Sequence, residues 1–87
     1  MDLKIGTVVI SRAGRDKGYP LAVVGTDGKF ILVADGKERP LSRPKKKNPI
    51  HVSKTNRTVA TEGVSDKALR KALREAFEKG GSDETIA

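Results

Sequence analysis

The spacing of apolar residues changes once along this chain of 87 residues, near residue 55. Before that point, short runs rich in β-branched residues alternate with turns that contain glycine or proline, a pattern typical of β-strands. Beyond it, apolar residues recur three and four positions apart, which is the spacing of one face of an α-helix. Because a chain of this length has room for one domain, we predict a mainly β fold with one C-terminal helix packed on the strands.

Five short strands are predicted in the first part of the chain, at residues 5–11, 21–26, 29–34, 39–42 and 50–53. Pro40 restricts the fourth of them to the edge of a sheet, because proline has no backbone N–H to donate to a neighbouring strand. The segment 43–49, Arg-Pro-Lys-Lys-Lys-Asn-Pro, is predicted to be irregular. Five short strands joined by tight turns favour a small five-stranded SH3-like barrel.

The second and third strands are expected to form a hairpin closed by Asp27 and Gly28, since Asp-Gly tolerates the positive φ angles of a type I′ turn. This turn predicts three cross-strand pairs, Val24 with Ile31, Val23 with Leu32 and Gly25 with Phe30. Both faces of the hairpin carry apolar residues. We therefore expect the curled barrel to cover one face and a further element to cover the other.

The C-terminal helix is predicted at about residues 66–79. Ser65 is a favourable N-cap, and Gly80 supplies a C-terminal stop. The apolar face of the helix comprises Leu69, Ala72, Leu73, Ala76 and Phe77. The predicted organisation is a barrel in residues 1–54, an extension that contains the helix in residues 55–81, and a disordered tail in residues 82–87.

The net charge of +7 is unevenly distributed along the chain. Residues 1–54 hold twelve lysines and arginines against five acidic residues, whereas residues 55–87 hold six of each. The excess is densest between Lys37 and Lys54. A localised positive field attracts polyanions, and nucleic acid is a better candidate than a membrane because no amphipathic helix is predicted in the basic part.

Composition argues against catalysis and metal binding. The chain has no cysteine and one histidine, His51, which excludes disulfides and thiolate metal sites, and we expect no metal cluster. No nucleophile–base pairing, phosphate-binding loop or dinucleotide motif is present, so we expect neither an enzyme nor a cofactor. The N-terminus does not resemble a signal peptide, and the apolar runs are far shorter than the roughly 20 residues that span a membrane. We therefore expect a soluble, cytoplasmic monomer.

The first loop, residues 12–19, is a candidate phosphate-binding segment. Its glycines let backbone N–H groups approach phosphate oxygens, and arginine can bind a phosphate through two hydrogen bonds. The candidate contacts in this loop are Arg12, Arg15 and Lys17. The alternative is a solvated hairpin loop whose charge keeps the sheet edge soluble, with Asp16 paired to a neighbouring cation.

A second candidate surface follows the third strand. Pro44 and Pro49 are expected to hold the segment between them extended, so that Lys45, Lys46 and Lys47 would face a phosphate chain as a row. Further candidates flank this run, namely Arg39, Arg43, Asn48 and His51. The alternative is a solvated basic linker, or a charged guard that stops an edge strand from pairing with other chains.

The helix and the aromatic residues give weaker signals. Lys67, Arg70, Lys71 and Arg74 form a stripe opposite the apolar face, and we expect this stripe to face solvent and contribute little to binding. Tyr19 could stack on a base or cover the edge of the barrel. Because Phe30 and Phe77 are assigned to the core, a platform of several aromatics that stacks bases is excluded.

Four segments of the sequence resemble a KOW motif. They are Gly-Thr-Val-Val-Ile-Ser at residues 6–11, Gly-Arg-Asp-Lys-Gly at 14–18, Ala-Val-Val at 22–24 and Ile-Leu-Val at 31–33. Ala-Asp-Gly at 34–36 and Arg-Pro-Lys-Lys-Lys-Asn-Pro-Ile-His-Val at 43–52 resemble the KOW-type large-subunit ribosomal proteins of archaea and eukaryotes, and their stand-alone bacterial relatives. Many KOW proteins carry a third glycine soon after the position of Gly18. This chain is similar to the ribosomal branch in lacking it. The likeness covers roughly residues 4–54.

The resemblance implies an SH3-like barrel that contacts RNA through the first loop and the basic segment after the third strand. On this chain those positions are Arg12, Arg15, Lys17, Arg43, Lys45, Lys46, Lys47 and His51. We therefore expect an RNA-binding protein that contacts structured ribosomal RNA or the ribosome mainly through phosphates. The alternative is a protein-interaction module of the transcription or translation apparatus. Peptide grooves of SH3-like domains are lined by aromatic residues, and Tyr19 is the only aromatic that the predicted core leaves over.

Overall fold

The computed structural model describes residues 3–86, with side chains described for residues 3–77. It has five antiparallel strands in one sheet and one C-terminal α-helix, so the predicted mainly β, small SH3-like fold class is confirmed. The strands are β1 (Thr7–Ser11), β2 (Pro20–Asp27), β3 (Phe30–Ala34), β4 (Lys45–Lys47) and β5 (Val52–Thr58). The helix is α1 (Asp66–Ile86), and Pro49–His51 form a short 3₁₀-helix. The first three strands begin and end within two residues of the predicted positions.

The sheet is open. Its strand order is β4-β3-β2-β1-β5, so β4 and β5 form the two edges. The strands of the predicted barrel are therefore present, but the barrel does not close by hydrogen bonding between its first and last strands. The 3₁₀-helix carries the chain from one edge to the other, between the end of β4 and the start of β5.

The hairpin of β2 and β3 is present, but its turn differs from the predicted one. The two turn residues are Gly28 and Lys29. Gly28 has a φ of 64°, and no non-glycine residue of the described chain has a positive φ. Positive φ at the first central residue alone is the pattern of a type II′ turn, not type I′. The predicted pairs are therefore wrong, and the observed pairs are Asp27 with Phe30, Thr26 with Ile31, Gly25 with Leu32 and Val23 with Val33.

Apolar side chains are buried on both faces of the sheet. One face carries the cluster of Leu3, Val9, Leu21, Val23, Ile31, Val33 and Val52. The other face carries Val8, Ala22 and Ala34, against which Leu69 and Leu73 of α1 pack. Successive residues of a strand point to opposite faces, which explains why the runs of valine and alanine serve both clusters. The expectation that both faces of the hairpin are covered is confirmed.

The fourth strand lies later in the chain than predicted. Residues 39–42 form no strand, and β4 is instead Lys45–Lys47, inside the segment that was predicted to be irregular. Pro44 and Pro49 lie just outside β4, so all three of its residues keep the N–H groups that a strand needs. A short, lysine-rich edge strand also resists pairing with other chains.

The fifth strand begins two residues later than predicted and is longer. Ile50 and His51 belong to the 3₁₀-helix, and β5 runs from Val52 to Thr58. It pairs with β1 along most of that length, with a register shift between Thr7 and Val9. The sequence did not indicate this extension, because the five residues beyond the predicted end, 54–58, are all polar. In the structure their side chains are exposed or half-exposed.

The start of α1 matches the prediction. The hydroxyl oxygen of Ser65 accepts a hydrogen bond from the N–H of Ala68 at 3.1 Å, which satisfies one of the N–H groups that have no partner within the helix. A second contact fixes the first turn, since Asp66 Oδ1 accepts the N–H of Leu41 at 2.7 Å. The helix N-terminus is thereby attached to the connection between β3 and β4.

The end of α1 does not match the prediction. The helix continues through Gly80 and Gly81 to Ile86, so the end at residue 79 and the tail at 82–86 are corrected, and Ala87 lies outside the described residues. Glycine lowers helix propensity by about 1 kcal/mol but keeps its N–H, so it need not stop a helix. Within the described part of the chain, no helix is both long and apolar enough to cross a membrane.

The core contains no phenylalanine among the described residues. Phe77 is 47% exposed, and Phe30 is half-buried beneath the ammonium group of Lys46, which lies 5.5 Å from the ring centroid. The prediction that both rings belong to the core is wrong, because aliphatic side chains fill both clusters. The reason for excluding base stacking on several aromatics therefore no longer holds.

Candidate nucleic-acid interface

Both long connections of the sheet lie at one end of it. Because neighbouring strands are antiparallel, β1 and β3 end there, whereas β2, β4 and β5 begin there. We refer to residues 12–19, 35–45 and 48–51 as the basic end. These residues include seven lysines and arginines against three carboxylates. The fold thus brings together cations that are distant in the sequence.

The first loop is ordered by its own backbone hydrogen bonds. Gly14 and Gly18 have φ angles of 86° and 88°, in the left-handed region that side chains with a Cβ rarely adopt. The N–H of Gly18 donates to the carbonyl oxygen of Ser11 at 2.8 Å, which closes the loop at its base. The predicted cations of the loop are all exposed, namely Arg12, Arg15 and Lys17.

A buried ion pair fills the inside of this loop. Asp16 Oδ1 lies 3.2 Å from Lys47 Nζ, and the two side chains are only 14% and 7% exposed. The Lys47 ammonium also donates to the carbonyl oxygen of Ala13 at 3.1 Å, and the Ser11 hydroxyl donates to Asp16 Oδ1 at 2.8 Å. Lys47 therefore connects β4 to the first loop across a sequence separation of 31 residues.

The environment of Asp16 favours its charged form. Burial alone would raise the pKa of this carboxyl, but the hydrogen bond from Ser11 and the hydrogen bond and charge of Lys47 outweigh burial, so the pKa lies below its ordinary value of 3.8. Asp16 Oδ2 is buried and has no hydrogen-bond partner. The carboxylate is thus held by contacts to one oxygen, and its charge is neutralised inside the protein.

The three consecutive lysines do not form the predicted row. Side chains alternate between the two faces of a strand, so the Lys46 side chain lies on the opposite face of β4 from those of Lys45 and Lys47. Lys47 is buried, with 8% of its surface exposed, and its ammonium group is already bound within the protein. The structure therefore removes Lys47 from the candidate RNA contacts and gives it an anchoring function.

Lys46 reaches away from the basic end. Its ammonium group lies 3.0 Å from Asp27 Oδ2 beside the hairpin turn, and both side chains are more than half exposed. Such surface pairs contribute about 0–1 kcal/mol and exchange readily with solvent. Lys45, the first residue of β4, is half-buried at the basic end.

The 3₁₀-helix joins the basic end beside the first loop. The N–H of Arg12 donates to the carbonyl oxygen of His51 at 2.8 Å, which places these two predicted contacts next to each other, and both side chains are exposed. Asn48 caps the 3₁₀-helix by accepting the N–H of Ile50 at 3.1 Å. Its side-chain oxygen therefore has a structural function, and Ile50 is left 69% exposed.

The connection between β3 and β4 forms the remaining part of the basic end. Asp35 Oδ1 accepts the N–H groups of Lys37 at 2.8 Å and of Arg39 at 2.9 Å, so its carboxylate orders the connection. Arg43 is exposed, whereas Arg39 is half-buried. Two of the three carboxylates of the basic end, Asp16 and Asp35, are thus engaged internally.

The structure brings most predicted contacts to one surface. Those at the basic end are Arg12, Arg15, Lys17, Arg39, Arg43, Lys45, Asn48 and His51. Sequence reasoning missed the anchoring contact of Lys47 because it treated residues 43–49 as irregular. Had the strand been recognised, alternation would have shown that the middle lysine and its neighbours face opposite sides.

No protein-family model matches the sequence, and no curated protein matches it. The likeness to KOW proteins accordingly depends on the residues quoted above and stays a prediction.

Proposed function

We propose that this protein binds structured RNA, with ribosomal RNA as the expected target, through phosphate contacts at the basic end. The observation that carries the proposal is the convergence of exposed cations from the first loop and from the β3–β4 connection, while two nearby carboxylates are neutralised or hydrogen-bonded within the fold. A surface of this kind attracts a polyanion without a deep pocket.

The side chains at the basic end suit phosphate more than base edges. Arg12, Arg15 and Arg43 are exposed on loops, where a guanidinium can bind two phosphate oxygens at once. Asn48 uses its side-chain oxygen within the protein, which leaves its amide N–H groups as donors and supports contact with phosphate or sugar oxygens. The proposed binding is therefore governed by charge and RNA shape.

Affinity is expected to depend steeply on salt. If about five phosphates are neutralised, the logarithm of affinity falls with the logarithm of salt concentration at a slope of about −3.5 to −4.5. The double variant Arg15→Gln/Lys17→Gln removes two charges from the first loop and should weaken binding to many RNA sequences. Its slope should be flatter by about 1.4–1.8. Titrations of a structured ribosomal RNA fragment at several salt concentrations measure both quantities.

A matched control removes the same charge from the other end of the sheet. Lys4 and Lys29 are exposed there, so Lys4→Gln/Lys29→Gln has the same net charge as the loop variant. This control should keep most of the affinity and the slope. Equal losses in the two variants would show that net charge alone determines binding, which would refute the basic end as the site. Absence of binding to any RNA would refute the proposed function.

A further inference from the structure

A groove separates the first loop from α1. Arg15, Tyr19 and Pro20 line it from the loop side, and Leu73 and Phe77 line it from the helix. Its volume is about 720 Å³, within the range of about 300–1,000 Å³ for pockets that hold small organic ligands. The groove adjoins the basic end because Arg15 belongs to both.

Two aromatic side chains are exposed in this groove. Tyr19 is 65% exposed and Phe77 is 47% exposed, and both line the groove. Leu73 also borders the groove, but its side chain is buried against the sheet, so the exposed apolar surface of the groove comes mainly from the two rings. Large apolar side chains that gather in a concave surface instead of the core mark a binding site for a flat or apolar group.

The helix side of the groove is cationic. Four exposed residues spaced three and four positions apart line it, namely Lys67, Arg70, Lys71 and Arg74. The sequence suggested that this stripe faces only solvent, but the fold places it opposite Arg15. Three carboxylates also line the groove: Asp16 is paired with Lys47, Asp35 accepts two backbone N–H groups, and Glu38 is exposed. The same lining has six lysines and arginines. The field in the groove therefore favours an anion.

We propose that the groove binds an unpaired RNA nucleotide, whose base stacks on Tyr19 beside Phe77 and whose phosphates contact Arg15, Arg70 and Arg74. A nucleotide combines a flat ring with a negative charge, which are the two features that this groove complements. Every base has a face that can stack, so the contact tolerates many sequences. The inference rests on the proposed function, because an RNA bound at the basic end can extend past Arg15 into the groove.

An acidic peptide is the competing occupant. Its carboxylates would also meet the cations, but it offers a flat ring only where it has an aromatic residue. It would also lack the continuity that an RNA strand has between the basic end and the groove. The charges and the two rings together therefore favour the nucleotide.

Three RNA hairpins of equal length and charge density distinguish binding in the groove from binding at the basic end. The first carries one bulged nucleotide, the second carries an abasic sugar at the bulge, and the third is fully paired. The bulged hairpin should bind more tightly than the other two by about 5- to 150-fold, which corresponds to one stacked base. All three should show the steep salt dependence of phosphate contacts.

The fluorescence of Tyr19 can show directly whether a base stacks on its ring. The chain has one tyrosine and no tryptophan, so its intrinsic fluorescence comes from Tyr19. Stacking of a base should quench this fluorescence with the bulged hairpin and leave it little changed with the abasic hairpin at matched absorbance.

Variants of the groove should affect the bulged hairpin selectively. Tyr19→Leu keeps an apolar side chain but lacks an aromatic face, and Phe77→Ala removes the neighbouring ring. Each should abolish most of the preference for the bulged over the abasic hairpin while leaving the salt slope unchanged, since neither alters charge. Ile5→Ala is the matched control, because Ile5 is 57% exposed and does not line the groove. Folding of each variant is verified by circular dichroism.

The outcomes distinguish this inference from the proposed function. Binding of all three hairpins with equal affinity and no quenching would refute the groove while the proposed function stands. Binding of none of them would refute both. Quenching of Tyr19 by a short peptide of alternating glutamate and leucine, without quenching by the bulged hairpin, would assign the groove to a protein partner and overturn the inference.

Discussion

Lys47→Met is expected to destabilise the folded protein by about 2–4 kcal/mol, although it removes only one of the eighteen lysines and arginines of the chain. The substitution leaves the Asp16 carboxylate 14% exposed and without its counter-charge, and it removes the donor to the carbonyl oxygen of Ala13. Loss of one partner of a fully buried pair costs about 3–5 kcal/mol. The residual exposure of Asp16 allows some hydration and reduces that cost.

Lys46→Met is the matched control for this substitution. Lys46 is the preceding residue in the same strand, and its side chain is 54% exposed in a surface pair with Asp27, so its loss should cost no more than about 1 kcal/mol. Urea denaturation measures both free energies of unfolding. Equal destabilisation by the two substitutions would show that the buried pair contributes no more than a surface pair.

Replacing Asp16 should also change how stability depends on pH. Because the pKa of Asp16 is lowered in the folded state from 3.8, the unfolded chain binds its proton more readily and the pair stabilises the fold at higher pH. That contribution is complete well above pH 4 and disappears as pH falls through the folded-state pKa. The difference in unfolding free energy between wild type and Asp16→Asn should therefore be constant near neutral pH and shrink in acid. A difference that grows in acid would contradict the assigned direction.

The sequence correctly predicted those strands and helix ends that depend on neighbouring residues in the chain. The β-branched runs located β1, β2 and β3 to within two residues, and Ser65 marked the start of α1. The hairpin register failed because Asp-Gly fits more than one turn, and the choice of Gly28 and Lys29 moved every pair. Two turns that differ by one residue position have similar local energies, but the shift changes every residue pair of the hairpin.

The candidate site was predicted in composition but not in arrangement. The cations of the basic end were identified from charge and from the resemblance, whereas the burial of Lys47 depends on a partner 31 residues away. Likewise, Leu69 and Leu73 are buried against the sheet and Ala76 is partly buried there, whereas Phe77 on the same helix face is 47% exposed. Periodicity places the apolar side chains on one helix face, but it does not show how far along the helix that contact extends.

Leu73→Ala is expected to cost about 2–4 kcal/mol of unfolding free energy. Leu73 is 2% exposed and packs with Leu69 against Val8, Ala22 and Ala34. Alanine would leave a cavity between α1 and the sheet that the small side chains facing it cannot fill. Domains of this size change their melting temperature by about 4–8 °C for each kcal/mol, so the melting temperature should fall by at least about 8 °C.

Phe77→Ala is the control that distinguishes the loss of packing in Leu73→Ala from a change in helix propensity. It introduces the same residue one turn later in α1 and removes a larger side chain, but that side chain is 47% exposed. If burial against the sheet determines the cost, Phe77→Ala should destabilise the protein far less than Leu73→Ala in thermal and urea unfolding. Equal melting temperatures for the two variants would mean that α1 does not stabilise the sheet through Leu73, and the groove proposed between α1 and the first loop would lose its helix wall.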